Sequence, residues 1–154
     1  MPIHLVIQGL DQFENDLTLA KADIEPQIKQ AMVKSTNVVQ QEAQRRAPYK
    51  TGTLRRSILP SVSSNGLVGT VLQDSSIAKY GIMIEYGTKA HAINPVNKQA
   101  LFWNGALNPY RRVMHPGFAA KPFMFPALEA KVDDIQRYFS EAINNIVLKA
   151  AGKI

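Results

Sequence analysis

The sequence contains no cysteine among its 154 residues. Disulfide bonds and thiolate metal sites are therefore excluded, which fits a protein made in a reducing cytoplasm. No apolar run approaches the roughly 20 residues that cross a bilayer. The first nine residues also lack the basic start of a secretory signal. We therefore expect a protein that has no membrane partner and is present in the cytoplasm during synthesis.

The sequence also lacks the common catalytic motifs. There is no G-x-S-x-G elbow, no phosphate-binding G-x-x-x-x-G-K-[ST] loop and no cysteine nucleophile. His4, His91 and His115 have a spacing that matches no metal-ligand pair. Glu85 could be a general base, but a glutamate in such an apolar stretch more often faces solvent or pairs with an arginine. A hydrolase would need Glu85 and His115 to meet in a pocket, so we expect no enzyme, no metal and no cofactor.

Positive charge is concentrated in the middle of the chain. The formal net charge is +6, whereas the stretch 43–128 holds eleven Lys and Arg against two acidic residues, a balance of +9. The two flanks together are therefore −3. A basic centre predicts a polyanion or an acidic protein surface as the partner, with intersubunit salt bridges as the alternative. The basic candidates for contact with DNA or a partner are Arg45, Arg46, Lys50, Arg55, Arg56, Arg111 and Arg112.

The N-terminal part of the chain predicts one strand and two helices. Alternation over Ile3–Ile7 indicates a short strand that ends at Gly9. A first helix runs from Asp11 to near Ala22. Because proline lacks a backbone N–H and disfavours helical geometry in the residue before it, we expect a second helix to start at Pro26. It ends near Arg46, ahead of the turn formed by Pro48 and Gly52.

The centre predicts strands and one long loop. Strands are expected over 57–63 and 67–72, joined at Asn65-Gly66 into a hairpin. A third strand is expected over 80–86, closed by Gly87, and a fourth over 111–114, followed by the turn at Pro116-Gly117. Residues 88–110 are expected to form a loop, and the apolar stripe from Ala127 onward predicts one long C-terminal helix. The fold class is therefore a single α+β domain over residues 1–154, in which two N-terminal helices and one long C-terminal helix pack on a small antiparallel sheet.

Aromatic and histidine side chains gather in the long loop and at its exit. Aromatic side chains beside arginines can stack on single-stranded bases, but they more often anchor protein interfaces. We therefore interpret these residues as interface candidates, with nucleic-acid contact and packing within the loop as alternatives. The candidates are Trp103, Phe102, Tyr110, His91, His115 and Phe118.

Several short motifs occur in a fixed order along the chain. A-P-x-x-T-G-x-L-x-x-S-I covers 47–58, and E-Y-G-T covers 85–88. H-x-I-x-P, A-L-x-W, H-P-G and P-F-x-x-P-A follow between residues 91 and 127. Together they resemble the bacteriophage tail-component family, which is similar to the minor tail protein Z group of lambda-like phages. One departure is Phe125, where the family commonly has arginine.

The resemblance implies a structural virion protein rather than an enzyme. It implies a homo-oligomeric ring, expected to be a hexamer, at the head-proximal end of a phage or prophage tail, acting in tail completion or head–tail joining. The implied partners are other copies of the chain, tail-tube or terminator proteins and head-completion proteins, with weak, sequence-independent contact to DNA. The alternative is a basic nucleic-acid-binding module. The implied location is the virion tail or neck, reached from the bacterial host cytoplasm.

Overall fold

The structure of the protein, a computed structural model, describes the backbone of residues 10–150 and the side chains of residues 24–149. The predicted strand Ile3–Ile7 lies outside the described residues. Within them the fold is mixed α+β, as predicted, with two two-stranded antiparallel sheets. No helix in the described part of the chain has the length and apolarity needed to cross a membrane. The elements are α1 (Leu10–Arg46), α2 (Thr53–Arg56), β1 (Ile58–Val62), β2 (Gly69–Gln73), α3 (Gly81–Tyr86), β3 (His91–Ile93), β4 (Val113–His115), α4 (Met124–Glu129) and α5 (Val132–Ala150).

Residues 10–46 form one helix, so the prediction of two N-terminal helices was wrong. Helix α1 continues through Pro26 over 37 residues, a length of about 55 Å. Proline removes one i to i−4 hydrogen bond, which can be tolerated where water reaches the backbone. Ile24, Glu25 and Pro26 are all exposed. The hydrogen bond lost at Pro26 therefore lies in a helical turn that water can reach, and its loss does not end the helix.

Helix α1 packs through a stripe of small side chains. Every fourth residue in its C-terminal half is buried, which places these side chains on one face of the helix. Small residues on that face allow the neighbouring elements to come close. On the facing strand β2, Gly69 also allows a close approach, since a Cβ atom there would lie only 2.5 Å from Met32 Sδ. The buried positions of the stripe are Ala31, Ser35, Val39 and Ala43, and the buried Ala47 follows just beyond the helix.

Strands β1 and β2 form the predicted hairpin. They pair antiparallel from Ile58↔Gln73 to Val62↔Gly69. The turn between them contains Gly66 at φ 73°, and Asn65 Oδ1 accepts a hydrogen bond from the Leu67 N–H at 3.1 Å. The Asn65-Gly66 signal was therefore a correct guide to the hairpin. Its sheet packs against α1.

The predicted strand over residues 80–86 is wrong, because this segment forms helix α3. A short apolar run does not distinguish strand from helix by periodicity alone. In the helix, Gly81 and Glu85 are four residues apart and both are buried. Gly81 lies directly against the Gln73 side chain, where a Cβ atom would clash. Contacts with distant segments therefore decide the conformation.

The C-terminal stripe from Ala127 is divided between α4 and the long helix α5, with Ala130 and Lys131 between them. Helix α5 packs along α1, and α4 also packs on α1. Phe123, just before α4, is 1% exposed and is among the largest fully buried side chains. The main core cluster lies where α1, the hairpin and α4 meet. Its members are Ala43, Ala47, Leu54, Ile58, Ala78, Phe123 and Ala127.

Candidate interaction surfaces

The basic motif after α1 forms a tight turn into α2. Pro48 follows the last buried residue of the α1 stripe, and Gly52 has φ 78°, a left-handed conformation that favours glycine. Leu54 and Ile58 then enter the core. Ser57 Oγ donates to the Leu54 carbonyl at 2.7 Å. The structure therefore places Pro48 and Gly52 in the connection between α1 and α2.

Three of the seven basic candidates are engaged within the chain. Arg45 Nε donates to Glu42 Oε2 at 2.8 Å, and Arg46 Nε donates to Glu42 Oε1 at 2.6 Å. The hydrogen bond from Arg45 is the main cause that lowers the pKa of Glu42 from 4.5 to about 2, while burial of the carboxylate opposes this change. Arg55 donates to the Ala47 carbonyl at 3.1 Å, and its guanidinium lies 5.0 Å from the centre of the Tyr49 ring.

The other four basic candidates are exposed. Lys50 and Arg56 belong to the turn around α2, whereas Arg111 and Arg112 precede β4. All seven candidates belong to the basic central part of the sequence. The structure divides them between two segments, one around the end of α1 and α2 and one before β4. Arg45, Arg46 and Arg55 help to fix the end of α1 through these contacts, while Arg45 and Arg46 remain exposed like the other four.

Glu85 neither faces solvent nor pairs with an arginine, so that expectation was wrong. Its carboxylate accepts hydrogen bonds from the backbone N–H groups of Phe123 at 2.7 Å and Met124 at 3.1 Å. The residue is only 9% exposed. The Phe125 N–H lies 3.4 Å from its second oxygen. Glu85 therefore caps the start of α4 from a position almost forty residues earlier in the chain.

His115 is held in a different segment from Glu85. Its Nδ1 accepts a hydrogen bond from the Gly117 N–H at 3.0 Å, as expected for a residue of the Pro116-Gly117 turn. Its ring stacks on His91 with the centroids 5.1 Å apart. Nothing in these contacts brings His115 to Glu85 as an acid–base pair. No cluster of three or more potential metal ligands occurs among the residues that the structure describes.

Residues 88–118 form an extended antiparallel arm, and the prediction of a loop over 88–110 missed its strand β3. Strand β3 pairs with β4, which largely matches the predicted fourth strand, and the bridges Thr88↔Phe118 and Leu101↔Tyr110 extend the pairing. Among the named elements, β3 and β4 pack closely only on each other. We call residues 88–118 the arm.

Two glycines fix the base of the arm. Gly87 has φ 72° and Gly117 has φ 79°. A Cβ atom on Gly87 would lie 2.6 Å from the Ala120 nitrogen, and one on Gly117 would clash with the Thr88 carbonyl. Both positions therefore require glycine for two reasons, the backbone conformation and the close approach of another backbone.

The end of the arm is apolar and open to solvent. Trp103 stacks on Tyr110 with the ring centroids 5.4 Å apart, and 48% of Trp103 remains exposed. Phe102 is also exposed, and Leu107 is 90% exposed. We call these four residues the tip. Of the other interface candidates, His91 and Phe118 are exposed nearer the base, while His115 is half-buried.

A second apolar surface lies on the body of the molecule. It is an open groove of about 660 Å³ between α1, β2, α3, α4 and α5. Among the residues that the structure describes, Glu85 is the only charged one that lines it. Several large apolar side chains on its walls are exposed. They are Leu72, Ile82, Tyr86, Phe125 and Leu128. We call this surface the groove.

The interpretation of the sequence missed the groove. Once residues 81–86 are helical, Ile82 and Tyr86 are four residues apart and lie on the same side of α3. A strand would also have placed the two residues on one face, but about 13 Å apart along the chain instead of about 6 Å apart on one helical turn. Phe125 was noticed only as a departure from the family pattern, and the structure places it in the groove.

Half of the chain matches the model of a known family. The family model described as "Bacteriophage HK97-gp10, putative tail-component" matches residues 11–87. Neither the comparison with curated proteins nor that with solved structures found a match. The matched region runs from the start of α1 to Gly87, where the arm begins, and covers half of the chain. The chain therefore belongs to the HK97-gp10-like family of bacteriophage tail components.

Proposed function

We propose that the chain is a structural subunit of a phage or prophage tail that assembles into a homo-oligomeric ring, a hexamer, at the head-proximal end. In this position it completes the tail or joins it to the head, without enzymatic activity. Membership of a tail-component family supports the general role. The proposal of a ring is supported by the exposed surface of the subunit.

The observation that carries the proposal is the contrast between a small core and two exposed apolar surfaces. In the described part of the chain, the large hydrophobic side chains that are buried are Val39, Leu54, Ile58 and Phe123. By contrast, twenty-six large hydrophobic side chains are exposed within residues 24–149. Single exposed side chains are ordinary, but contiguous apolar surfaces indicate interaction sites. The tip and the groove are two different surfaces, as ring closure requires.

The proposed partners beyond the ring are tail-tube or terminator proteins on one face and head-completion proteins on the other. DNA that moves through such a ring should be held weakly, since each neutralised phosphate adds affinity. Three of the seven basic candidates, Arg45, Arg46 and Arg55, form hydrogen bonds within the chain, which is consistent with weak contact to DNA. Lys50, Arg56, Arg111 and Arg112 remain for an acidic partner or for DNA.

Light scattering after size exclusion, at several protein concentrations and two salt concentrations, tests this proposal. We expect a closed species of about six copies, near 100 kDa for a 17.1-kDa chain. A titration with duplex DNA should give weak retardation. A monomer at every concentration would contradict a ring formed by this chain alone. Tight, strongly salt-dependent DNA binding by that monomer would favour the nucleic-acid-binding alternative.

A further inference from the structure

We infer that the groove of one copy receives the tip of the arm of a neighbouring copy. This inference rests on the proposed ring and specifies the contact that builds it. The two surfaces are different in shape and lie on the same chain. A contact between them is heterologous, the type that repeats around a ring. The occupant of the groove is therefore a second copy.

The arm needs a surface to pack on. A two-stranded hairpin is marginally stable alone in water and gains stability by packing against other elements. Here β3 and β4 pack closely only on each other among the named elements. The most exposed of the tip side chains, Leu107, is 90% exposed. The tip has the composition of an interface anchor, with tryptophan, tyrosine and phenylalanine together.

The charges of the arm and the groove also favour this contact. The arm carries four basic residues and no aspartate or glutamate. Among the residues that the structure describes, no lysine or arginine lines the groove, and Glu85 is the one charged residue there. At the start of α5, whose next turns line the groove, Asp134 already pairs with Lys131 and Arg137, which leaves the exposed Asp133 as the acidic residue for a basic arm. Complementary charges of this kind fix the orientation of a contact.

The arm of the same copy does not occupy the groove. No residue of the arm lines its own groove, although the arm leaves the body just after Tyr86. A tip that fills the groove therefore belongs to another copy.

A photocrosslink from inside the groove tests the inference. Because the chain has no cysteine, Leu128→Cys in the full chain provides a unique site for a benzophenone maleimide. Asn144→Cys, at an exposed position of α5 that does not line the groove, is the matched control. We expect Leu128→Cys to give intermolecular crosslinks to peptides from 96–110, at least tenfold more than the control gives.

Mixing two blocked variants provides an independent measurement. Leu107→Asp blocks the tip and leaves the groove intact, whereas Leu128→Asp blocks the groove and leaves the tip intact. Each variant alone should be monomeric, with an unchanged circular dichroism spectrum that shows it is folded. An equimolar mixture should form a heterodimer and stop there, because only one productive contact remains. A symmetric interface would not give this result.

The outcomes separate this inference from the proposed ring. Assembly of the wild-type chain with crosslinks to the tip, and a heterodimer from the mixture, would support both. Assembly with crosslinks to any other segment, including the first nine residues of a neighbour, would overturn the tip-and-groove contact and leave the ring standing. A wild-type chain that stays monomeric and gives no intermolecular crosslink would overturn both.

Discussion

The buried carboxylate of Glu85 provides a sharp test of how the two halves of the fold are joined. Replacing it by alanine removes the acceptor of the Phe123 and Met124 N–H groups. Phe123 is 1% exposed, so water cannot readily take the place of the carboxylate. A buried donor left without a partner costs about 1–3 kcal/mol, and hydrogen bonds to charged groups are at the upper end.

We therefore expect Glu85→Ala to lower the free energy of unfolding by about 3 kcal/mol, since one of the two donors stays partly solvated. Glu85→Gln keeps one carbonyl oxygen in a similar place and loses the charge, so a loss of about 1 kcal/mol is expected. Urea unfolding followed by circular dichroism measures both changes. With a slope near 2 kcal/mol/M, the alanine variant should shift the midpoint by about 1.5 M.

The control is Glu129→Ala, which removes an exposed carboxylate from the other end of α4 and should change the free energy of unfolding by less than about 0.5 kcal/mol. Equal midpoints for Glu85→Ala and Glu129→Ala would refute the capping role. A Glu85→Gln variant less stable than the alanine variant would also refute it, because the conservative change should retain part of the hydrogen bonding.

Three further predictions address single residues. Gly52→Val forces a β-branched residue to φ 78° and should cost at least about 1 kcal/mol; an unchanged melting midpoint would contradict this backbone assignment. The pKa of Glu42 is lowered to about 2, so its stabilising contribution is full above pH 4.5 and is lost as the pH falls toward 2; the melting temperature should therefore change less with pH over this range for Glu42→Gln than for wild type. Trp103→Ala should leave the melting temperature of the monomer nearly unchanged and weaken assembly measured by light scattering, whereas an unfolded monomer would show that Trp103 belongs to the core.

Local signals in the sequence predicted the elements that depend on local chemistry. The hairpin follows from Asn65-Gly66, whose turn is stabilised within six residues. The conformation of Gly52 and the helical stripe after Ala127 also depend on neighbours in sequence. Each of these signals has a physical cause that acts over a few residues. Their success therefore does not require knowledge of the tertiary structure.

The errors occurred where distant segments decide the conformation. Strand β3 exists because it pairs with β4, whose partner residues lie about twenty positions away. Helix α3 presents Glu85 to backbone groups 38 and 39 positions later. No pattern within residues 80–86 contains that information. The error at Pro26 is different, since the local penalty was judged correctly but the surrounding helix continues despite it.

The same long-range contact joins the features on which the proposed assembly depends. Glu85 ties α3 to the start of α4, and both helices form walls of the groove. The arm leaves the body at Gly87, two residues after this tie. Glu85 therefore joins two walls of the groove next to the segment from which the arm departs. Weakening this contact would disturb both the groove and the arm. Loss of assembly in a Glu85 variant would therefore not show which of the two surfaces is needed. Substitutions at Leu107 and Leu128, each exposed on one surface only, are the ones that separate them.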